Sequence, residues 1–143
     1  MFRRLEEKDI YELYKMLNSC KDNGEYFRPH SFEKLKLKKL LREKLNHYFV
    51  LIINDKIIGY SMLRTFGIFP HPTFGGIIHK DHRGVGFGHS LLIHTLEKAK
   101  ELNFEKVLLK VDEDNIIAIN LYKKVGFKEI QKESNQYWME IEL

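Results

Sequence analysis

Apolar positions near the start of the chain recur at helical spacing, with Ile10, Leu13, Tyr14 and Leu17 at i, i+3, i+4 and i+7. That pattern puts one apolar stripe on a helix over roughly residues 8 to 19, and Phe2 to Leu5 read as a short strand before it. A polar, glycine-containing loop from Lys21 to His30 follows. Ser31 is then placed to cap a second helix running through Leu45, because its hydroxyl satisfies an otherwise unpaired first-turn amide. Within that helix Leu35, Leu37, Leu40, Leu41 and Leu45 interleave with Lys34, Lys36, Lys38, Lys39, Arg42 and Lys44. The pattern changes at His47. Residues His47 to Ile53 and Ile57 to Phe66 are rich in β-branched and aromatic types and flank Asn54-Asp55-Lys56, which predicts an antiparallel hairpin.

Pro70 and Pro72 bracket His71 in a loop. Thr73 to His79 reads as a strand interrupted by Gly75 and Gly76, and glycines inside a strand mark a bulge or a close ligand approach. From Gly86 to Leu102 the residues Leu91, Leu92, Thr95, Leu96, Ala99 and Leu102 recur at helical spacing, and the strand Lys106 to Val111 follows. Strand, helix, strand in that order implies a crossover between parallel strands. Asp114 or Asn115 is placed to cap another helix carrying Ile117, Leu121 and Val125, with Gly126 as the left-handed residue that ends it. Phe127 to Ile130 and Tyr137 to Ile141 close the chain as strands. No repeat, linker or low-complexity tract divides residues 1–143, so the pattern predicts a single mixed α/β domain.

Composition narrows the function classes. With 43% hydrophobic residues, 143 residues suffice for one buried core. No apolar run approaches the roughly 20 residues of a membrane helix. The N-terminus turns acidic straight after Arg3 and Arg4, unlike a secretory signal. A soluble, cytoplasmic protein without a membrane partner is expected. The one cysteine, Cys20, fits a reducing compartment and excludes both an internal disulfide and a cysteine zinc site. The net charge of +4 is compatible with nucleic acid, an anionic small ligand or a plain soluble surface. No zinc finger, RNA-recognition signature or clear helix-turn-helix pair accompanies the lysine-rich helix, so no nucleic-acid partner is expected.

The junction from Ile77 to Gly88 carries the chemistry. Gly84, Gly86 and Gly88 alternate as the third helix begins, and a backbone without side chains can point successive amides at one spot. A helix start also offers unpaired N–H groups and about half a positive charge, so an anion placed there gains hydrogen bonds and field together. Arg83 adds a permanent cation. A glycine turn before a helix is as often a purely structural feature, so the spacing decides. A dinucleotide fingerprint fails, because the third glycine would fall at Leu91, or at Phe87 when counted from Gly84. The nucleoside-triphosphate loop fails for want of a Gly-Lys-Ser/Thr ending.

The spacing does match R-x-x-G-x-G, as Arg83, Gly86 and Gly88, and here the chain resembles the GNAT superfamily of N-acetyltransferases. A second match lies downstream, where the run from Asn115 to Phe127 resembles the family's N-x-x-A-x-x-L-Y-x-K-x-G-F pattern. The resemblance is clearest over residues 73 to 130. It implies a single-domain GNAT-like fold, with a mixed central sheet of about six to seven strands flanked by about four helices and splayed at the cofactor strand. It further implies acetyl-CoA as cosubstrate, with its pyrophosphate on Arg83, Gly84, Val85, Gly86, Phe87, Gly88 and His89 and its pantetheine arm along the backbone of Gly76, Ile77 and Ile78. By the same carry-over, a free amide near the splay stabilises the thioester oxygen, Asn115 contacts the cofactor, and Tyr122 protonates the departing thiolate. A tyrosine near pKa 10 and a thiol near 8.5 differ by only about two units, so that transfer is within reach.

An amine near pKa 10 must also lose a proton. In members resembling ribosomal-protein N-terminal acetyltransferases a glutamate stands five residues before the motif asparagine, whereas here that position is Lys110. His79, beside the cofactor strand, is one candidate base, and Glu25, Tyr26 and His30 are candidate acceptor-site residues in the loop between the first two helices. His79 and His82 lack an evident third ligand, so no metal is expected. The expected acceptor is a small-molecule or peptide amine, with an amino sugar raised slightly by the segment from Tyr26 to Phe32. A homodimer is common among proteins of this resemblance. The alternative from another class is a CoA-binding or partner-binding module without turnover.

Overall fold

The computed structural model describes residues 1–20, 27, 29–65 and 70–143. Its centre is the hairpin of β2 (Asn46–Ile53) and β3 (Lys56–Arg64). Ile53 pairs with Lys56, leaving Asn54 and Asp55 as a two-residue turn with φ of 50° and 62°. Both central residues of such a turn must be left-handed, and asparagine and aspartate tolerate this best after glycine. β1 (Phe2–Arg4) pairs outside β2, and β4 (Thr73–Ile78) pairs antiparallel with β3 in unbroken register. With β5 (Lys106–Asp112), β6 (Lys128–Glu133) and β7 (Gln136–Glu142), these strands make one sheet of order β1-β2-β3-β4-β5-β7-β6.

Side chains alternate across this sheet and divide the core in two. Tyr48, Val50, Tyr60, Met62 and Ile77 face α1 (Ile10–Ser19) and α2 (Lys34–Leu40). Phe49, Leu63, Phe74, Val107, Leu109, Val111 and Met139 face α3 (Phe87–Glu101) and α4 (Ile116–Val125). Ser61 lies on this second face and hydrogen-bonds Thr95 of α3 at 2.7 Å, a buried hydroxyl pair that satisfies both partners. The mixed sheet and flanking helices agree with the expected architecture.

Three details differ from the pattern reading. The second helix is shorter than Ser31 to Leu45, because Leu41, Arg42 and Glu43 donate to carbonyls three residues back and tighten the chain into the start of β2. Ser31 is no cap of α2; its hydroxyl accepts the Glu33 amide at 3.3 Å, two residues on. Gly75 and Gly76 do not interrupt the ladder with β3 at all. The irregularity is on the other edge of β4, where the parallel pairing with β5 consists of the single position Thr73 to Leu108.

Gly76 is demanded by packing: a Cβ there would lie 2.8 Å from the Phe74 ring and 3.2 Å from Leu91. Both neighbours are buried, so they have little room to give. We expect Gly76→Ala to cost roughly 1–3 kcal/mol in urea denaturation, the usual range for overpacking. Gly84→Ala, in open space, would cost only its backbone strain.

Candidate active site

The splay between β4 and β5 follows from hydrogen-bond parity. His79 donates its amide to Ile58 across the end of the β3 ladder at 2.7 Å. Alternate residues of an antiparallel strand face its partner, so Ile77 and Gly75 also turn their backbone groups to β3, while Gly76 and Ile78 turn theirs toward β5. Beyond Thr73, β5 has moved away. The Gly76 amide and carbonyl and the Ile78 amide are therefore left without a partner among the described residues. The Ile78 carbonyl is taken by Arg83 Nε at 2.9 Å. Of the three backbone positions expected to hold the pantetheine arm, Gly76 and Ile78 face the gap. Ile77 instead pairs with Tyr60 and sends its side chain into the α1–α2 core.

Just past β4, a single 3-10 turn (Lys80–His82) leads into the glycine segment. Gly84 and Gly86 have φ of 80° and 95°, and a Cβ at either would meet nothing within 4 Å. Conformation, not crowding, selects glycine there. The first helical bond of α3 runs from the Ser90 amide to the Gly86 carbonyl at 3.1 Å, so the amides of Phe87, Gly88 and His89 have no backbone acceptor. Val85 stands out in solvent at 70% exposure. Arg83 is anchored through Nε, while its Nη2 is buried with no hydrogen-bond partner among the described residues. An orphaned guanidinium nitrogen, unpaired first-turn amides and a left-handed glycine bend form a cradle suited to a phosphate. These residues fit the pyrophosphate of a coenzyme A.

α4 closes the other side of the gap. Its Leu121 lies 3.8 Å from where a Gly88 side chain would begin, so the start of α3 meets the middle of α4. Asn115 occupies the N-cap position but makes no side-chain capping bond, which leaves its carboxamide available. Gly126, at φ 123°, ends the helix and returns its amide to Tyr122 and Lys123. Tyr122 packs edge-on between Phe74 and Phe127, at 6.3 and 5.7 Å between ring centroids. Burial pushes its phenol up to about 12, and its hydroxyl makes no hydrogen bond among the described residues. The group thus holds its proton throughout the neutral range. Sequence reasoning missed Phe74, whose ring walls both Gly76 and Tyr122; alternation along β4 was the signal that placed it on that face.

The candidate bases fare differently. His79 Nδ1 accepts the Asp81 amide at 3.1 Å, so in the neutral ring the hydrogen sits on Nε2 and no lone pair is left for an amine. His79 caps the turn. His30 Nδ1 donates to the Ser31 carbonyl at 2.8 Å, and Nε2 receives the Tyr60 hydroxyl at 2.7 Å. Burial lowers its pKa and keeps it neutral. Its ring stands edge-on to Phe32, Tyr48 and Tyr60, so it is a fixed wall of the loop rather than a free base. Glu25 and Tyr26 lie outside the described residues. Lys110, on the face of β5 opposite α3 and α4, passes over Trp138 at 5.4 Å and reaches Glu133 at 3.8 Å. Among the described residues no three metal-ligating side chains gather, and no helix is long and apolar enough to cross a membrane.

The Tyr122 shift has a testable sign. Its folded pKa, about 12, exceeds the ordinary 10, so folding favours the protonated phenol. That stability is fully present below pH 10 and is lost as pH rises toward 12. Two units correspond to about 3 kcal/mol. Urea denaturation at pH 8 and near pH 11 is expected to show a larger alkaline loss for the parent than for Tyr122→Phe; equal losses would contradict the burial of the phenol.

Comparison with known proteins gives the same reading. The Acetyltransferase (GNAT) family matches residues 9–127. An N-alpha-acetyltransferase of Sulfurisphaera tokodaii is 34% identical over 103 residues, which is 64% of this chain and 62% of that relative's length. The match thus spans less than two thirds of that protein. Among solved structures, a ribosomal-protein-alanine N-acetyltransferase from Brucella melitensis has a TM-score of 0.85 at 19% identity, over 100% of this chain and 99% of that one. A spermidine N-acetyltransferase from Vibrio cholerae, in complex with CoA and spermine, has a TM-score of 0.82 at 26% identity, over 99% and 94% of the two chains. With five sixths of its length inside the family match, and with the glycine cradle, the splayed strand and the helix of Tyr122 in their places, the chain belongs to the GNAT acetyltransferase family.

Proposed function

We propose that this protein is a cytoplasmic, acetyl-CoA-dependent N-acetyltransferase that moves an acetyl group to a primary amine within a ternary complex. The observation that carries this reading is the convergence of a phosphate cradle, a strand edge with free backbone groups and a protonated, half-buried tyrosine on one gap in the sheet. When bound, acetyl-CoA supplies an activated acyl thioester. Arg83 and the amides from Gly84 to His89 hold its pyrophosphate, and Gly76 and Ile78 hold its arm. The Gly76 amide stabilises the negative charge that develops on the thioester oxygen. Tyr122 keeps its proton at Oη until the thiolate departs, then gives it up.

No described side chain near the gap offers an unoccupied base. Without such a base, the incoming amine releases its proton to water. This supports direct attack without a dedicated carboxylate. The likeness to an N-alpha-acetyltransferase and to a spermidine N-acetyltransferase supports a peptide N-terminus or a small amine as the acceptor. The reading without turnover, a CoA-binding module, is the competing outcome.

Titration calorimetry with acetyl-CoA is expected to show binding by the parent and loss of binding by an Arg83→Ala, Gly86→Glu variant. No binding by the parent would refute the reading. With an acceptor from an amine and peptide panel, Tyr122→Phe is expected to lower kcat by about 10²–10⁴ while acetyl-CoA affinity stays within about threefold. Full activity in that variant would remove Tyr122 as the proton donor, and absence of any product from the parent would leave a binding module.

A further inference from the structure

The charge of the chain is concentrated in one place. Residues 34–44 carry six cations, Lys34, Lys36, Lys38, Lys39, Arg42 and Lys44, against the single carboxylate of Glu43, a surplus of five where the whole protein has a net charge of +4. Everything outside this segment is therefore slightly acidic. Leu37 and Leu40 bury the inner side of α2, and all six cations are exposed or, for Lys34, drawn over the rings of Tyr11 and Tyr14 at 5.4 and 5.2 Å. None of the six forms an ion pair with a described residue. The Glu43 carboxylate turns inward, accepting from Tyr48 at 2.5 Å and Asn46 at 2.9 Å. Lys98, Lys106, Lys110 and Lys132 have carboxylate partners, and other lysines outside the segment have none, so what marks α2 and its exit turn is the density of cations rather than their lack of partners.

The position of this patch connects it to the acceptor side. Phe27 lies in ordinary contact range, 3.6 Å, of where a Gly75 side chain would begin, so this residue lies against β4 near the splay. His30 and Phe32 continue from there, and α2 starts at Lys34. A molecule whose amine reaches the splay from the α1–α2 side would pass these residues and then meet the lysines.

We propose that α2 and its exit turn are a docking face for an acidic polypeptide segment that carries the acceptor amine. This rests on the acetyltransferase reading above and adds the substrate class. Seven helical residues span about 10 Å, which an extended chain covers in about three residues, so a short acidic stretch suffices. Leu35 and Leu45 are 74% and 62% exposed among the cations and offer apolar contact to a polypeptide that mixes acidic with apolar side chains, and no groove-reading motif accompanies the patch. Five of the six cations are lysines, point charges suited to scattered carboxylates rather than to forked recognition of bases or phosphates.

The test is fluorescence anisotropy of a labelled peptide with a free N-terminus and an aspartate- and glutamate-rich tail. It is run beside a neutral peptide of equal length and a single-stranded RNA of equal charge, at about 50 and about 300 mM salt. The acidic peptide is expected to bind most tightly and to weaken as salt rises. A Lys36→Glu, Lys38→Glu, Lys39→Glu variant is expected to bind it about tenfold or more weakly, with acetyl-CoA affinity unchanged as proof of folding. In acetylation of the same peptide, that variant should raise KM and leave kcat alone. Equal binding by parent and variant, or equal binding of neutral and acidic peptides, would overturn the proposal. Tighter binding of the RNA would replace it with a nucleic-acid surface, and binding without acetylation would overturn the peptide's role as acceptor. Failure of the acetyl-CoA titration would instead strike the enzyme reading, so the two are separable.

Discussion

Everything in the candidate site depends on a strand that is paired on one edge and released on the other. A buried backbone group without a partner costs free energy, so a sheet ordinarily closes every ladder it can. Here β4 is fixed to β3 along its whole length but meets β5 at one position only. The groups left over belong to Gly76 and Ile78. They are satisfied by water or by a ligand that resembles a strand in its hydrogen bonding, and a pantetheine arm with its two amides is such a ligand. Arg83 Nε takes the Ile78 carbonyl, which leaves the Gly76 amide and carbonyl and the Ile78 amide as the open groups of that edge.

The release of β4 also explains the crowding around it. Gly76 lacks a side chain because Phe74 and Leu91 fill the space beneath, and Phe74 in turn forms one wall around Tyr122. The same desolvation that holds the Tyr122 proton is thus produced by residues that shape the strand edge. On the opposite face, His30, Tyr60, Tyr48 and Glu43 form a chain of hydrogen bonds and stacked rings that fixes the loop before α2. Arg64 of β3 adds a bond to the Pro29 carbonyl at 2.5 Å. The two faces of β4 therefore differ: one borders the glycine segment and Tyr122, the other the rings of His30, Tyr48 and Tyr60.

Much of this was legible in the residues. Periodicity located both faces of the core, since α1 and α3 show their apolar stripes plainly, and the Arg83-Gly86-Gly88 and Asn115-to-Phe127 runs marked the two helices that meet at the gap. What the chain did not reveal was pairing at a distance. Gly75 and Gly76 signalled an irregular strand, but only the parity set by His79 and Ile58 shows which edge is irregular and which amides are free. His79 and His30 have the intrinsic pKa of a base, yet hydrogen bonds to Asp81, Ser31 and Tyr60 occupy the nitrogens that matter. Such bonds depend on tertiary placement. The α2 boundaries failed for a related reason, because leucines continue to Leu45 while local three-residue bonds have already bent the chain toward β2.

The most direct test of the released edge is a two-dimensional amide spectrum of labelled protein with and without saturating CoA. Large shifts and slowed hydrogen exchange at the Gly76 and Ile78 amides, with the Ile77 amide little changed, are the expected result. Unchanged Gly76 and Ile78 signals in a protein that binds CoA, or changes centred on Ile77, would contradict the account.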